Sequence, residues 1–377
     1  MCPSIAGGAA IMKIKRILKW TLGAIFLALL VAFLVAYWTS SNDCDRPTVP
    51  PTTPMKAIIY CEYGSPNVLK LENIEKPVPK DNEVLIKVRA ASVNPLDWHH
   101  IRGTPYLMRL DVGLRKPKVI RLGVDYAGTV EAVGRSVTQF KPGDEVFGGR
   151  TGAFAEYVAA REDRAITLKP PNLTFEQAAT VPIAGITALQ GLRDKGKIQP
   201  GQKVLINGAS GGVGTFAVQI AKALGAEVTG VCSTRNVEMV RSLGADRIID
   251  YTREDFTRSA QRYDLIIDMV GNHSFSECRQ VLNPKGGYVM IGGPPGRWID
   301  PLPRLLGAAV MSKFVSQEMY GMLADLNKKD LVTLGDLMEA GKVRAVIDRR
   351  YKLSELPTAI RYLEQGHARG KVVITVD

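Results

Sequence analysis

The sequence predicts an α/β protein in which two folded units follow one N-terminal transmembrane helix. Three observations support this fold class. Residues 20–38 form an uncharged apolar run, short alternating segments separated by glycine and proline begin at residue 56, and strand-like and helix-like segments alternate after residue 172. A chain of 377 residues is long enough for two domains.

Residues 20–38 are predicted to form a membrane-inserted helix. The run has 19 residues without a charge, and at about 1.5 Å per residue it spans about 28 Å, close to the hydrocarbon thickness of a bilayer. Trp20 and Trp38 mark its ends, as aromatic residues do at membrane interfaces. A cleaved signal peptide is the alternative, but its apolar core is usually shorter and no A-x-A cleavage site follows. Residues 1–19 then form a basic segment starting at Met1 or Met12, and residues 39–54 form a proline-rich linker.

Composition excludes several classes of protein. Hydrophobic residues make up 46% and charged residues 23% of the chain, which excludes global disorder. The net charge is +12, yet no nucleic-acid-binding module accompanies it. A basic solvated surface is predicted, and docking onto anionic lipid is the alternative for Arg115, Lys116, Lys118 and Arg121. The five cysteines are scattered with no close pair, so the sequence predicts neither a disulfide framework nor a structural zinc site.

The two folded units differ in their patterns. Residues 55–178 contain short strands such as KAIIY, EVLIKVRAASV and GTVEAVG, and are predicted to form a β-rich domain. Residues 179–320 contain the strand KVLIN, the helix TFAVQIAKAL and the strand EVTGVC in succession. This βαβ repetition predicts a parallel sheet with helices on both faces.

A glycine-rich turn joins the first strand of the second unit to its helix. Residues 207–214 read NGASGGVG. Glycines at such a turn let the backbone approach a pyrophosphate, and the helix N-terminus supplies free N–H groups and positive potential. The turn predicts a Rossmann dinucleotide site with these phosphate-binding candidates: Ser210, Gly211, Gly212, Val213 and Gly214.

The end of the next strand indicates which dinucleotide is bound. Sites that prefer NAD place a carboxylate there, about 20 residues beyond the turn, to bind the ribose 2′-hydroxyl. Residues 228–235 read VTGVCSTR and contain no carboxylate. Ser233 and Arg235 are suited to a 2′-phosphate, so NADPH is predicted.

These residues, with several longer motifs, resemble the quinone oxidoreductase/zeta-crystallin group of medium-chain dehydrogenases/reductases. The motifs are SVNPLDW at 92–98, GVDYAGTVEAVG at 123–134, FKPGDEVFG at 140–148 and GHARGKVVI at 366–374. The resemblance implies a GroES-like catalytic domain interrupted by the Rossmann domain, to which residues 321–377 return. It also implies further cofactor contacts: Tyr251, Asn272, Ile291, Gly292, Gly293 and Lys371.

The resemblance further implies catalysis without zinc. Zinc-dependent relatives have a cysteine ligand where this chain has Asn94, and a His-Glu pair where it has Val124 and Asp125. Asn94 is implied to lie near the nicotinamide and to donate through its amide to the acceptor. His99 stands where several relatives have a tyrosine, and is either a proton donor or a packed ring. Tyr106 is a candidate to replace that tyrosine in part.

The leading hypothesis is a membrane-anchored reductase that transfers hydride from NADPH to a quinone or an α,β-unsaturated carbonyl. These acceptors need no metal, because charge delocalises onto oxygen. One alternative is a non-enzymatic NADPH-binding protein that senses redox state. Another is an enoyl-thioester reductase of a lipid or polyketide pathway. The expected partners are the small-molecule acceptor and the bilayer, with a homodimer suggested by analogy to relatives.

Two arguments disagree about the membrane orientation. Four basic residues precede the helix at positions 13, 15, 16 and 19, whereas only Arg46 and Lys56 follow closely. The positive-inside rule then places the body outside the cytoplasm. NADPH is abundant in the cytosol, and this requirement places the body on the cytoplasmic face, which is the orientation predicted here.

Overall fold

The structure, a computed structural model, describes residues 6–45, 50–293, 307, 310–311 and 315–376, and it leaves out the side chains of residues 6–14 and 16. Three side chains on which the orientation argument partly rests therefore lie outside the described residues: Lys13, Arg16 and Arg46.

The chain begins with one long helix, α1 (Ala6–Trp38). Its segment Ile17–Trp38 is long and apolar enough to cross a membrane, and none of its most apolar window is buried in the protein. Length and composition alone support this assignment, and a signal sequence would satisfy the same criteria.

The first folded unit is rich in strands, as predicted. It contains two helices beside the strands, and its elements run in this order: β1 (Pro54–Ile59), β2 (Lys70–Glu75), β3 (Glu83–Val93), α2 (Pro95–Arg102), α3 (Arg109–Val112), β4 (Asp125–Val133), β5 (Glu145–Gly149), β6 (Tyr157–Arg161) and β7 (Ile166–Leu168).

The second unit alternates between helices and strands before the chain returns to the first sheet. The helix α4 (Phe175–Ala179) packs on the first sheet and precedes this unit. The elements of the second unit, followed by those of the returning segment, are α5 (Pro182–Gln190), β8 (Lys203–Asn207), α6 (Gly212–Ala223), β9 (Glu227–Cys232), α7 (Val237–Ser242), β10 (Arg247–Asp250), β11 (Tyr263–Asp268), α8 (Phe275–Arg279), β12 (Leu282–Met290), β13 (Glu318–Gly321), α9 (Lys328–Glu339), β14 (Ile347–Lys352), α10 (Leu356–Glu364) and β15 (Lys371–Thr375).

Six strands of the second unit form a parallel sheet in the order β10-β9-β8-β11-β12-β13. Counted along the chain this order is 3-2-1-4-5-6, the doubly wound arrangement that binds dinucleotides at the carboxyl ends of its strands. Strand β8 is short and apolar at its centre, and Val204, Leu205 and Ile206 are buried, as is typical of a central strand in a parallel sheet. The predicted Rossmann sheet is confirmed.

The other large sheet joins the first unit to the end of the chain. Its order is β14-β15-β3-β4-β5-β7, and β6 pairs with β3. Strand β15 runs antiparallel to β3, with Val372 opposite Val93, and β3 runs antiparallel to β4, with Ser92 opposite Asp125. Three adjacent strands therefore bring residues 92–94, 125 and 371 to one end of this sheet.

The structure corrects the prediction for the cysteines. Cys44 and Cys61 form a disulfide across 17 positions, with their Cα atoms 5.8 Å apart. The side-chain amide of Asn42 also donates to the carbonyl of Cys61 at 2.8 Å. The scattered cysteines predicted no disulfide framework, and the prediction misses this bond, because sequence spacing does not report which segments the fold brings together. The proline-rich linker is consequently fixed to the body before Met55. The remaining described cysteines, Cys232 and Cys278, are free and buried.

Candidate active site

The glycine turn packs as tightly as its sequence suggests. Strand β8 ends at Asn207, and α6 begins at Gly212 with Gly211 as its N-cap residue. A Cβ added to Gly214 would lie 2.1 Å from the carbonyl oxygen of Gly208, so only glycine lets this helix approach the turn. A Cβ on Gly212 would lie 3.1 Å from the side chain of Lys371. The turn thus leaves an open backbone surface at the N-terminus of a 12-residue helix.

A buried asparagine connects the turn to the end of the next strand. Asn236 donates from Nδ2 to the hydroxyl of Ser210 at 3.0 Å and to the hydroxyl of Ser233 at 3.1 Å. Ser210 and Ser233 were predicted to contact opposite ends of the adenosine diphosphate, and the structure places them beside one common residue. Sequence analysis missed Asn236, although it directly follows residues 228–235, which were used to predict the cofactor.

The predicted adenosine-side residues lie at the carboxyl ends of β9 and β10. Arg235 is exposed, and its guanidinium donates to the carbonyl of His367 at 3.1 Å. Tyr251 has 58% of its surface exposed, and its backbone N–H donates to the carbonyl of Cys232. These side chains are accessible to a ligand and come from neighbouring strands.

Two loops at the ends of β11 and β12 meet beside the turn. Asn207 donates from Nδ2 to Asp268 and to the side-chain oxygen of Asn272, each at 2.9 Å. The backbone N–H of Ile291 donates to the carbonyl of Asp268, and a Cβ on Gly292 would lie 2.1 Å from the carbonyl of Met269. Asn272, Ile291 and Gly292 are therefore gathered at one edge of the sheet. Gly293 follows them and is exposed.

A buried polar cluster lies where the two sheets approach each other. Lys371 Nζ donates to Asn94 Oδ1 at 2.5 Å and lies 3.4 Å from Asp125 Oδ2. Asn94 Nδ2 donates to the same carboxylate oxygen at 2.9 Å, and the Ser92 hydroxyl donates to it at 2.8 Å. All four side chains are at most 2% exposed. Burial lowers the pKa of Lys371, while the neighbouring Asp125 carboxylate favours its charged form.

The backbone joins this cluster directly to the glycine turn. Gly370, the residue before Lys371, donates its N–H to the carbonyl of Ser210 at 2.9 Å. Gly211 and Gly370 form an isolated parallel bridge. The phosphate-loop candidates and the catalytic candidates, which are far apart in sequence, therefore share one boundary in the fold.

Asp97 caps the start of α2 next to the cluster. Its carboxylate accepts from the backbone N–H of Asn94 at 2.7 Å and from that of Gly123 at 3.2 Å. Burial raises the pKa of Asp97 to about 7, and the Asp125 charge adds to this effect. Sequence analysis missed Ser92, Asp97 and the structural part played by Asp125, although all three stand within the motifs that carried the resemblance.

The structure places the three catalytic candidates in different surroundings. The amide hydrogens of Asn94 already point to Asp125 and, at 3.4 Å, to the Ser92 carbonyl, so donation to an acceptor does not fit this arrangement. His99 stacks on Trp98 with ring centroids 3.7 Å apart, and its Nδ1 contacts the Thr104 carbonyl at 2.7 Å. Burial lowers the pKa of His99, which favours the neutral ring. Tyr106 is 38% exposed on the segment that follows.

A cavity of about 450 Å³ elsewhere does not belong to this site. Its walls include Gln190, Arg193, Met322 and Asp330. Asp330 already accepts hydrogen bonds from Arg193 and Gln190. None of the predicted site residues lines it, and its polar groups stabilise the packing of α5 against α9.

The Rossmann sheet interrupts the β-rich domain, and its glycine turn lies beside the buried polar cluster. This combination defines a two-domain NAD(P)H-dependent oxidoreductase. Comparisons with known families agree. The alcohol dehydrogenase GroES-like domain matches residues 80–171, and the family described as zinc-binding dehydrogenase matches residues 243–374.

Individual relatives narrow the group. The chain is 36% identical over 360 residues to the mouse protein named NAD(P)H oxidoreductase RTN4IP1, mitochondrial, covering 86% of this chain and 90% of that one. It is 35% identical over 338 residues to the NADPH-dependent alkenal/one oxidoreductase, chloroplastic, of Arabidopsis thaliana, covering 85% and 79%. The solved quinone oxidoreductase from Coxiella burnetii is similar with a TM-score of 0.76 and 34% identity, covering 86% and 100%. The chain belongs to the quinone oxidoreductase-like group of the medium-chain dehydrogenase/reductase superfamily.

Proposed function

We propose that this protein is a membrane-anchored, zinc-independent reductase that uses NADPH to reduce quinones or α,β-unsaturated carbonyls. The observation that carries the proposal is the hydrogen bond from Gly370 to Ser210, next to the contact of Lys371 with Asn94. These two contacts hold the phosphate loop next to the buried cluster. An acceptor bound there would lie next to the nicotinamide half of a dinucleotide held by the turn.

The described residues fit a dinucleotide. Ser210, Gly211, Gly212, Val213 and Gly214 would hold the pyrophosphate at the N-terminus of α6. A Cβ at Gly214 would collide with the Gly208 carbonyl, and a Cβ at Gly212 would crowd Lys371. Within the described part of the chain the Oδ1 atom of buried Asn236 has no partner, so it is available to a ribose hydroxyl. Asn272, Ile291, Gly292 and Gly293 would line the nicotinamide half. When bound, NADPH supplies a hydride.

The preference for NADPH rests on charge at the adenosine end. Arg235 is exposed, and Ser233, which follows β9, is half-buried close to it in the chain and offers a hydroxyl group. The carboxylate of Asp250 is engaged by Thr234 and Thr252 rather than directed into this space. A guanidinium with free N–H groups binds a 2′-phosphate more strongly than a 2′-hydroxyl.

The donor set at the cluster does not suit a zinc ion. Zinc-dependent relatives have a cysteine ligand at the position of Asn94 and a His-Glu pair at Val124 and Asp125. Here Val124 has no donor atom in its side chain, and Asn94 and Asp125 both contact the Lys371 ammonium. Zinc sites use thiolate, imidazole or carboxylate ligands, and an ammonium between the donors supplies positive charge without coordination. Among the described residues no group of three metal-ligating side chains is present. No step is therefore assigned to a metal.

The chain's own residues position the reacting groups. Lys371 and Asp125 fix Asn94 at the N-terminus of α2, and this orients the helix that carries His99. With Nδ1–H donated to Thr104, neutral His99 presents Nε2 as a hydrogen-bond acceptor rather than as an acid. Solvent supplies the final proton. Closure of the site between the two sheets would exclude water during hydride transfer.

The test measures oxidation of the nicotinamide cofactor by the full chain in detergent. The acceptors are quinones, enones and enoyl thioesters, and each is assayed once with NADPH and once with NADH. Turnover of quinones or enones that prefers NADPH and is unchanged by a chelator supports the proposal. Preference for enoyl thioesters would redirect it to a lipid or polyketide reductase. Saturable NADPH binding without oxidation by any acceptor would support a redox sensor instead.

A further inference from the structure

We propose that the body rests on the bilayer through one surface beside the active site, so that a lipophilic acceptor enters from the membrane. We call this the 106–119 surface. It consists of the exposed side chains of one segment: Tyr106, Leu107, Leu110, Asp111, Arg115, Lys118 and Val119. This inference rests on the proposed function for the membrane anchor α1 and for the acceptor, while the docking itself does not depend on the reaction.

The tether between α1 and the body is short. Sequence alone suggests a linker from Trp38 to Pro54, which at about 3.4 Å per residue could reach roughly 55 Å. The Cys44–Cys61 disulfide fixes the chain to the body after six residues, which limits the reach to roughly 20 Å. The body therefore stays close to the membrane that holds α1.

Direct contacts set which face is turned toward the membrane. The Arg115 guanidinium lies over the ring of Trp38, 5.1 Å from its centroid. Lys116 forms an ion pair with Asp45. Trp38 ends the apolar helix, where tryptophan prefers the interface. Arg115 is thereby held at the level of the lipid headgroups.

The same surface has the chemistry of an interfacial contact. Leu110 is 62% exposed and Val119 is 55% exposed, and the hydrogen bond from Lys118 N–H to the Val112 carbonyl brings these two parts of the segment together. The exposed Arg115 and Lys118 flank them. Apolar side chains flanked by cations bind membranes that contain anionic lipid.

The segment that carries the surface lies between residues of the candidate active site along the chain. The segment begins two residues after Thr104, whose carbonyl contacts His99, and it ends shortly before β4, which starts with Asp125. Tyr106, a catalytic candidate, is its first exposed member. An acceptor dissolved in the bilayer would therefore reach the site without crossing bulk water.

Docking is tested in the full chain in vesicles of phosphatidylcholine and phosphatidylglycerol. Leu110→Cys carries an environment-sensitive dye, and Val78→Cys, at an exposed apolar position outside the surface, is the matched control. Both variants also carry Cys2→Ser, and the free thiols of the described residues, Cys232 and Cys278, are buried and have raised pKa values, so they react poorly. We expect brominated lipid chains to quench the dye at position 110 but not at position 78. Equal quenching at both positions, or none at 110, would overturn the docking surface.

Acceptor delivery is tested with Leu110→Glu and Val78→Glu. Burying a leucine in an apolar phase contributes about 1.5–3 kcal/mol, so Leu110→Glu should lower kcat/KM for a long-chain quinone in the bilayer by about tenfold or more. Activity with a water-soluble short-chain quinone should not change. Equal effects on both quinones would overturn delivery from the membrane. If no acceptor is reduced in any form, the proposed function fails, and the quenching result still decides the docking.

A second inference rests on the disulfide alone. We infer that the body lies in an oxidising compartment, opposite to the face that the cofactor argument favours. Disulfides persist outside reducing cytosol, and Cys44 and Cys61 are the pair joined here. Closing the bond removes two protons and two electrons, which pass to a protein thiol–disulfide oxidant of that compartment. The basic residues before α1 independently favour this orientation.

Cells are acid-quenched and the denatured full chain is treated with a mass-tagged maleimide, with and without prior reduction. We expect two fewer tags without reduction, and Cys44→Ser should abolish that difference. The same number of tags in both samples would overturn the inference, because both cysteines would then be thiols in the cell. Protease digestion of a C-terminal tag from outside intact cells or sealed vesicles provides the second readout.

Discussion

The ammonium of Lys371 lies 2.5 Å from Asn94 Oδ1 and 3.4 Å from Asp125 Oδ2. A residue of the last strand, β15, therefore connects two site residues that lie on or next to β3 and β4. The register of β15, β3 and β4 produces this arrangement, because it aligns Val372 with Val93 and Ser92 with Asp125. The stability of the buried cation and that of the buried carboxylate depend on each other, since removing either one leaves an uncompensated charge.

Replacing Lys371 by methionine should destabilise the protein by about 3–5 kcal/mol, because Asp125 would be buried without its cation. The double variant Lys371→Met/Asp125→Asn should regain part of that loss. Denaturant unfolding of the purified chain in detergent measures both effects. Lys70→Met, at an exposed position of β2, is the control and should change stability by less than about 0.5 kcal/mol. Equal losses for the single and double variants would contradict the pairing.

The two glycines Gly211 and Gly214 should respond differently to alanine. At Gly214 the new Cβ would lie 2.1 Å from a backbone oxygen, whereas at Gly211 the nearest atom is 3.5 Å away. We expect Gly214→Ala to cost roughly 1–3 kcal/mol or more and to abolish NADPH binding. Gly211→Ala should remain as stable as the parent. Unfolding curves and nicotinamide fluorescence titrations measure these outcomes, and similar stability of the two variants would refute the packing argument.

Arg235 should determine the choice between the two cofactors. Because a guanidinium hydrogen bond to a phosphate contributes about 1.5–3 kcal/mol, Arg235→Ala should raise the KM for NADPH by about tenfold or more. The KM for NADH should stay nearly constant. Arg241→Ala, an exposed arginine on the neighbouring helix α7, serves as the control. Equal increases for both cofactors would mean that Arg235 acts on the fold rather than on the 2′-phosphate.

Asp97 should give the protein an unusual dependence of stability on pH. Burial raises the pKa of Asp97 from 3.8 to about 7, so the folded state keeps a proton that the unfolded state has released. The contribution of Asp97 is complete below about pH 4 and is lost as the pH rises through about 7. The free energy of unfolding of the parent, measured relative to Asp97→Asn, should therefore fall across this window. A difference that stays constant from about pH 4 to pH 7.5 would show that the carboxyl ionises normally.

Local patterns were sufficient to predict most of the architecture. The apolar run gave α1, and the alternation of β8, α6 and β9 gave the Rossmann sheet. The glycine turn was readable because a strand, a close approach and a helix N-terminus impose glycine at fixed positions. The motifs around Asn94, Asp125 and Lys371 indicated the family, yet the contacts of Lys371 with the other two residues depend on strand register between segments more than 240 residues apart.

Sequence by itself therefore predicted the family, the order of the elements and the glycine turn proposed to bind a dinucleotide, because each depends on patterns within a few tens of residues. Tertiary structure alone decided that Cys44 pairs with Cys61, that Asn236 links Ser210 to Ser233, and that Lys371 satisfies both Asn94 and Asp125. Buried polar groups take whichever partner the packed chain brings within hydrogen-bond distance. That choice depends on the relative placement of whole strands and loops, which spacing along the chain does not encode.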